Sequence, residues 1–297
     1  MKRKPIKSGE GISDATSFRL EREDIMADLT EKKGSTLFLG RYPMSAVMAV
    51  LEKKGFLRDA KRKKLWPLIF ELDSSEFPPL QRLQIFYAKK ETSNLVVDLK
   101  LRELIFQPKN RLAKVSPSSA FQLLYLEWLT LQNPLLAFTP NRPPLPGQVY
   151  PGLKLGKKVL DIFTYLARLN HDDGIIAFPC YFHNALLFSR FLHFVRPEKQ
   201  GEVLAIRKSF RDVSFIKLAW IIHLNCLRTG EGKVFEWKAE EQVYPMNNVL
   251  KKYFESKEYR ESVKKAASSL EFSIDWDCYE KKGQAEFQSE GQSDSEP

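Results

Sequence analysis

Apolar residues recur in short, punctuated runs whose spacing changes along the chain, and the changes mark the elements. TLFLG at 36–40 predicts a short strand. Pro43 then stands at a first helical position, with Met44, Val47, Met48 and Leu51 on one face and Gly55 as a stop. A second helical patch at 56–64 leads into LWPLIFELD at 65–73, where Pro67 predicts a strand edge or strand start. Runs at 80–90 and 95–106 flank the turn-like ETSN, and Val97, Leu99 and Leu101 alternate with Asp98, Lys100 and Arg102. That alternation predicts an antiparallel hairpin with one wet face.

YLEWLTLQ at 125–132 predicts a further strand, followed by a proline-studded stretch from Pro134 to Pro151. An amphipathic helix begins near Gly156, because Val159, Leu160, Phe163, Leu166 and Ala167 form a continuous stripe. GIIAFP at 174–179 is a short buried strand ended by Pro179, and Ala185, Phe188 and Leu192 mark another helix. Strand, loop, helix, strand and helix make a crossover unit. Two more helices are expected at roughly 198–211 and 213–227, with Asp212 as an N-cap for the second, before a mixed tail. In that tail Leu270, Phe272, Ile274 and Trp276 alternate with polar residues as a last strand.

Composition narrows the class. The chain has 297 residues, 43% apolar, with 47 basic and 37 acidic side chains and a net charge of +10. Such content requires a folded core. Residues 1–12 and 281–297 are too polar to join it, and no repeat or linker divides the interior. We therefore expect one elaborated domain over 13–280, with a core at about 35–195 and an extension at 196–280. The charge is uneven: residues 1–114 hold 24 basic and 15 acidic side chains. Three scattered cysteines do not suggest a disulfide framework, and a reducing cytoplasm is the expected compartment. No secretory signal is expected at the basic start, and the longest apolar stretch, 215–227, carries Lys217 and His223, so no membrane span is expected.

The order of one strand, two helices, a strand meander, a loop into an amphipathic helix, a strand and a helix resembles the GNAT superfamily of acyl-CoA-dependent N-acetyltransferases. The local match runs from Leu126 to Phe194. In that family an Arg/Gln-x-x-Gly-x-Gly/Ala loop opens the central helix and holds the coenzyme A pyrophosphate on backbone N–H groups; here the corresponding stretch is PGLKLGKKVL, 151–160. The family's Asn-x-x-Ala-x-x-Leu-Tyr-x-x-x-Gly-Phe helix corresponds to FHNALLFSRFLHF, 182–194, through Ala185, Phe188, Leu192 and Phe194. Pro151 takes the Arg/Gln place, Lys154 the first Gly place, Phe182 the Asn place, Ser189 the Tyr place and His193 the later Gly place, while Gly156 keeps the second loop Gly. The resemblance implies an α/β fold, with a mixed and mostly antiparallel sheet flanked by helices and an additional C-terminal helical and strand region. It also implies N-acyl transfer from acetyl-CoA, or another acyl-CoA, to an amine.

Under that resemblance Gly152, Lys154, Leu155, Gly156, Lys157 and Lys158 hold the coenzyme, because successive N–H groups at a helix start attract anions. The same lysines also suit a solvated helix start. Amine acylation needs a base and an acid. Glu127 shares a face with Leu129 and Leu131 by simple alternation, which would partly bury it and raise its pKa. It is the candidate base, against a strand-edge carboxylate paired with a Lys or Arg. With Ser189 at the tyrosine place, Tyr181 and His183 are the candidate acids, against half-buried packing residues. Asn141, Arg142 and Gln148, on the long proline-rich loop, are candidate substrate contacts. Cys180 with His183, and His223 with Cys226, match no zinc spacing, so no metal is expected. A different class remains open: a binding scaffold on this fold for an acidic protein or nucleic acid, using Arg58, Lys61, Arg62, Lys63 and Lys64, which otherwise suit a solvated helix face.

Overall fold

A computed structural model describes residues 36–107 and 120–283. The expected basic tail at 1–12 lies outside the described residues, as does most of 281–297, although 276–283 are helical. The elements open with α1 (Met44–Lys53) and α2 (Phe56–Arg62), then the meander β1 (Leu68–Asp73), β2 (Gln81–Tyr87), β3 (Leu95–Phe106) and β4 (Phe121–Leu131). The crossover follows as α3 (Gly156–Leu169), β5 (Gly174–Ala177) and α4 (Phe182–Phe188). The remainder comprises β6 (His193–Phe194), α5 (Pro197–Ser209), α6 (Phe215–His223), β7 (Leu227–Thr229), β8 (Gln242–Pro245), α7 (Asn248–Glu255), α8 (Lys257–Ser269) and β9 (Phe272–Ile274).

Seven strands form one sheet in the order β1-β2-β3-β4-β5-β8-β6, while β7 and β9 make a separate pair. Among the described strands only β4 and β5 run parallel; their neighbours pair antiparallel. The α/β class and the mostly antiparallel sheet flanked by helices are thus present. The parallel step needs a crossover, and the stripe on α3 supplies it by packing Val159, Phe163 and Ala167 with Leu99, Leu124 and Ile175. Period-2 geometry sends the alternate residues Leu123 and Ile176 to the opposite face, against Leu250 of α7 and Tyr259 of α8. A third cluster joins α4, α5 and α6 around Phe194 and Ile221.

Several local expectations are corrected. Residues 36–40 form a turn with one bridge, Phe38 to Tyr42, because Leu39 and Gly40 adopt positive φ and the buried Gln81 amide donates to Leu37 O (2.9 Å) and accepts from Leu39 N–H. Pro43 is the N-cap of α1. The wet face of the hairpin is interrupted by Asp98, buried and held by both ends of the Arg82 guanidinium (2.7 and 2.9 Å). Ser214, not Asp212, caps α6, accepting from Lys217 N–H. Cys226 and Cys278 are joined in a disulfide across 52 residues, with Cα atoms 5.6 Å apart. Finally, β8 comes from beyond residue 195 yet lies inside the main sheet between β5 and β6.

Candidate functional site

The site arises where β4 and β5 part. They pair from Leu123 with Gly174 to Leu126 with Ala177, and no further. Two sequence features stop them at the same level. On β5, Pro179 follows two residues after the last pair and brings no N–H. On β4 the register against β3 jumps from Lys100–Trp128 to Leu101–Leu126, which leaves Glu127 as an unpaired bulge residue. A bulge increases the local twist and bends its strand.

Beyond the bulge β4 keeps β3 on one side and has an open edge on the other. Gln132 N–H donates to Val96 O on the β3 side, whereas Leu131 O accepts from Leu153 N–H (3.1 Å) on the open side. Alternation therefore turns the N–H and C=O of Leu129, and the N–H of Leu131, to the open edge. A cleft of about 150 Å³ lies along it, with Glu127 to Gln132 on one wall and Phe178 to Tyr181, His183, Asn184 and Phe188 on the other. Pro146, Gly147, Gln148 and Tyr150 of the long loop close one side. That loop is fixed by the Trp220 indole donating to Pro144 O (2.9 Å) and by Tyr181, whose hydroxyl would lie 2.6 Å from a Cβ added at Gly147. With φ at +75°, Gly147 is the residue that allows this approach.

Glu127, Tyr181, His183 and Gln148 thus line one cleft, although 54 positions separate the first two in sequence. Their states differ from expectation. Glu127 is exposed, because the bulge breaks the alternation on which its burial was predicted: Leu124, Leu126, Leu129 and Leu131 all pack on the same core. Its carboxylate faces Arg102 Nε at 3.6 Å. His183 is buried, and desolvation, assisted by His223, lowers its pKa to about 4. It is neutral at pH 7 and cannot serve as an imidazolium acid. Tyr181 stacks on His183 with ring centroids 5.2 Å apart. Ser189, at the family's tyrosine place, has its hydroxyl committed to Leu186 O (2.8 Å). Gln148 turns its side-chain oxygen back to accept from Leu145 N–H (3.1 Å).

The loop before α3 starts where the cleft ends. Gly152 bridges Gln132, and the Arg142 guanidinium donates to Gly152 O at 2.8 Å. Arg142 therefore positions the loop and lies outside the cleft lining, as does exposed Asn141. Lys154 is exposed with φ at +60°, and Leu155 is buried as the N-cap residue of α3, with no side chain capping the helix. The first N–H groups of an α-helix have no partner within it. At Gly156 an added Cβ would meet no atom of the described residues within 4 Å, so among them that corner is open. Lys157 is exposed, but Lys158 is not free for an anion: its ammonium donates to Gly55 O (3.0 Å) and to Asp59, tying α3 to the α1–α2 junction. This pair, with Lys158 the main cause, holds the Asp59 carboxyl below its ordinary pKa.

Arg102, Tyr125 and Trp128 belong to this region without any motif in the sequence to mark them. Arg102 lies 5.1 Å over the Tyr125 ring, and Tyr125 meets Phe178 edge-on at 5.4 Å. Burial first, then the Glu127 charge, raises the Tyr125 pKa. Trp128 is 45% exposed on the cleft wall. Arg102 was visible in the hairpin alternation, but only the register joins it to Glu127. No cluster of three or more His, Cys, Asp or Glu suited to a metal occurs among the described residues. None of their helices is long and apolar enough to cross a membrane. Set against known protein families, curated proteins and solved structures, the chain has no significant match.

Proposed function

We infer that the chain is an acyl-CoA-dependent N-acyltransferase of the GNAT type. The observation that carries this reading is the parting of β4 from β5 at Leu126 and Ala177, which leaves the N–H and C=O of Leu129 and the N–H of Leu131 without a strand partner among the described residues along a narrow cleft. An extended arm containing amides, such as the pantetheine of coenzyme A, fits such an edge as an added strand does. The loop bridged to the end of the cleft at Gln132 and Gly152 runs on to the start of α3, which no described side chain caps and whose N–H groups and dipole suit a diphosphate, with Lys154 and Lys157 exposed beside it.

Glu127 takes a proton from the acceptor ammonium, and the freed nitrogen lone pair forms the C–N bond at the thioester carbonyl. As the carbonyl re-forms and the C–S bond breaks, Tyr181 gives the departing thiolate its proton and is reprotonated by the second proton of the attacking nitrogen, while Glu127 passes the first to solvent. Proximity within one cleft supplies much of the acceleration, and each proton transfer contributes about 10² to 10⁴. The acid role passes to Tyr181 because His183 is neutral and Ser189 is committed elsewhere. Isothermal titration with acetyl-CoA is the test: saturable binding supports the reading, and no heat or thermal shift at millimolar ligand removes it.

A second reading draws on α2 and the turn after it, where Arg58, Lys61, Arg62 and Lys64 are exposed and Lys61 lies 4.2 Å over the exposed Trp66 ring. This basic face with an aromatic suits an acidic partner such as nucleic acid. Binding to single-stranded nucleic acid that weakens steeply with salt and is lost in Lys61→Glu supports it; salt-independent binding counts against it.

A further inference from the structure

The acyl-transfer reading leaves a difficulty, since the carboxylate assigned as base faces a guanidinium. That contact is incomplete. Arg102 Nε stands 3.6 Å from the Glu127 carboxylate, beyond a hydrogen bond, and this buried nitrogen has no hydrogen-bond partner among the described residues. Both side chains remain 35% exposed, so the pair is reachable from solvent. The guanidinium is anchored from below by Tyr125, which is itself wedged against Phe178, whereas Glu127 sits on the unpaired bulge residue. One charge is held and the other is on irregular backbone; Glu127 lines the cleft, and Arg102 stands beside it outside the lining.

We propose that the acceptor is a short zwitterion, an α-amino acid being the simplest form, whose carboxylate takes Arg102 while its ammonium takes Glu127. A guanidinium presents a planar fork of donors that matches a carboxylate. A ligand carboxylate offers it bonds that Glu127 at this separation does not. The same ligand brings a cation to replace Arg102 beside Glu127, so neither protein charge is left alone. Displacing the internal pair thereby delivers the amine to its base. A simple amine must instead compete with Arg102 for Glu127 and leave the guanidinium uncompensated. The exposed indole of Trp128, next to Glu127, offers an apolar wall for the acceptor's side chain.

This assignment rests on the acyl-transfer reading, and the test separates the two. Free thiol is measured as acetyl-CoA is turned over by the full chain with the common amino acids, each beside its decarboxylated amine. In parallel, binding of the same compounds is followed by ligand-detected magnetic resonance without acetyl-CoA. For the preferred amino acid, kcat/KM and affinity are expected to exceed those of its amine roughly tenfold to a hundredfold, the range of one charge-assisted pair. In Arg102→Gln that ratio falls toward one, and in Arg102→Lys it lies between, while titrated acetyl-CoA affinity holds. Equal use of amine and amino acid, or a ratio unchanged in both variants, overturns the zwitterion and leaves acyl transfer standing. Arg102-dependent amino-acid binding without any acetyl-CoA binding supports the acceptor site and overturns acyl transfer; binding of neither overturns both.

Discussion

The two ends of β4 obey different rules. From Phe121 to Leu126 the strand has a partner on both sides from Leu123 onward, and Leu123 and Leu124 are sealed into opposite cores. From Glu127 to Thr130 the same strand keeps β3 alone among the described strands, until Leu131 meets Leu153, and Glu127 and Trp128 reach solvent. Composition does not separate the halves, since leucines recur in both. Loss of one neighbour does, and it converts backbone groups that elsewhere hold the sheet together into groups available to a ligand. A site made this way needs little special chemistry in its side chains.

The sharpest break between the ends is chemical. Glu127→Gln is expected to lower kcat by about 10² to 10⁴ with the melting temperature nearly unchanged, measured by thiol release beside thermal unfolding. At the paired end the cost moves to stability: Leu123→Ala, at a fully buried site, should lose about 2–5 kcal/mol in urea unfolding. Its counterpart at the open end, Trp128→Ala, should stay within about 0.5 kcal/mol.

Acidity distinguishes the ends as well. His183, on the cleft wall, has a folded pKa of about 4, below the ordinary value near 6.5. The unfolded chain takes up that proton first, so stability is full above about pH 6.5 and falls as pH drops toward 4. Asp172 sits in the turn entering the paired end of β5. Burial, then the Glu103 charge, raises its pKa to about 6. Its oxygens have no hydrogen-bond partner among the described residues, although Gln122 and Asn170 are near. A raised carboxyl pKa works in reverse, favouring the fold below about pH 4 and losing that effect as pH rises through 6. Asp172→Asn should therefore add up to about 3 kcal/mol at pH 7.5 and little at pH 4, while His183→Asn should flatten the acid limb. Unfolding at a series of pH values checks both. At the anion corner Gly156→Glu, with no described atom within 4 Å of its Cβ, should weaken acetyl-CoA binding tenfold or more, about 1.4 kcal/mol, without altering urea stability.

Most of the scaffold was legible because it is periodic. The α3 stripe and the β2–β3 hairpin each carry a repeat that only one element type satisfies, and the GIIA strand, which has no repeat, is marked by its shortness and the proline that ends it. The site was legible in part. Glu127, Tyr181 and Gln148 could be nominated one by one, but the bulge that exposes Glu127 exists only relative to β3, and alternation along a single strand cannot register it. Lys158 looked available because its partner Asp59 lies 99 residues away. The Cys226–Cys278 link was hidden by an odd cysteine count, and β8 by its length of four residues.

That four-residue strand governs the order in which the molecule can assemble. Because β8 zips between β5 and β6, a chain still emerging from the ribosome carries β5 with one bare edge until about residue 245 has been made. Pairings so distant in sequence close slowly, and bare edges invite intermolecular pairing meanwhile. A truncation after residue 195 leaves that edge bare permanently, and aggregation is its expected fate.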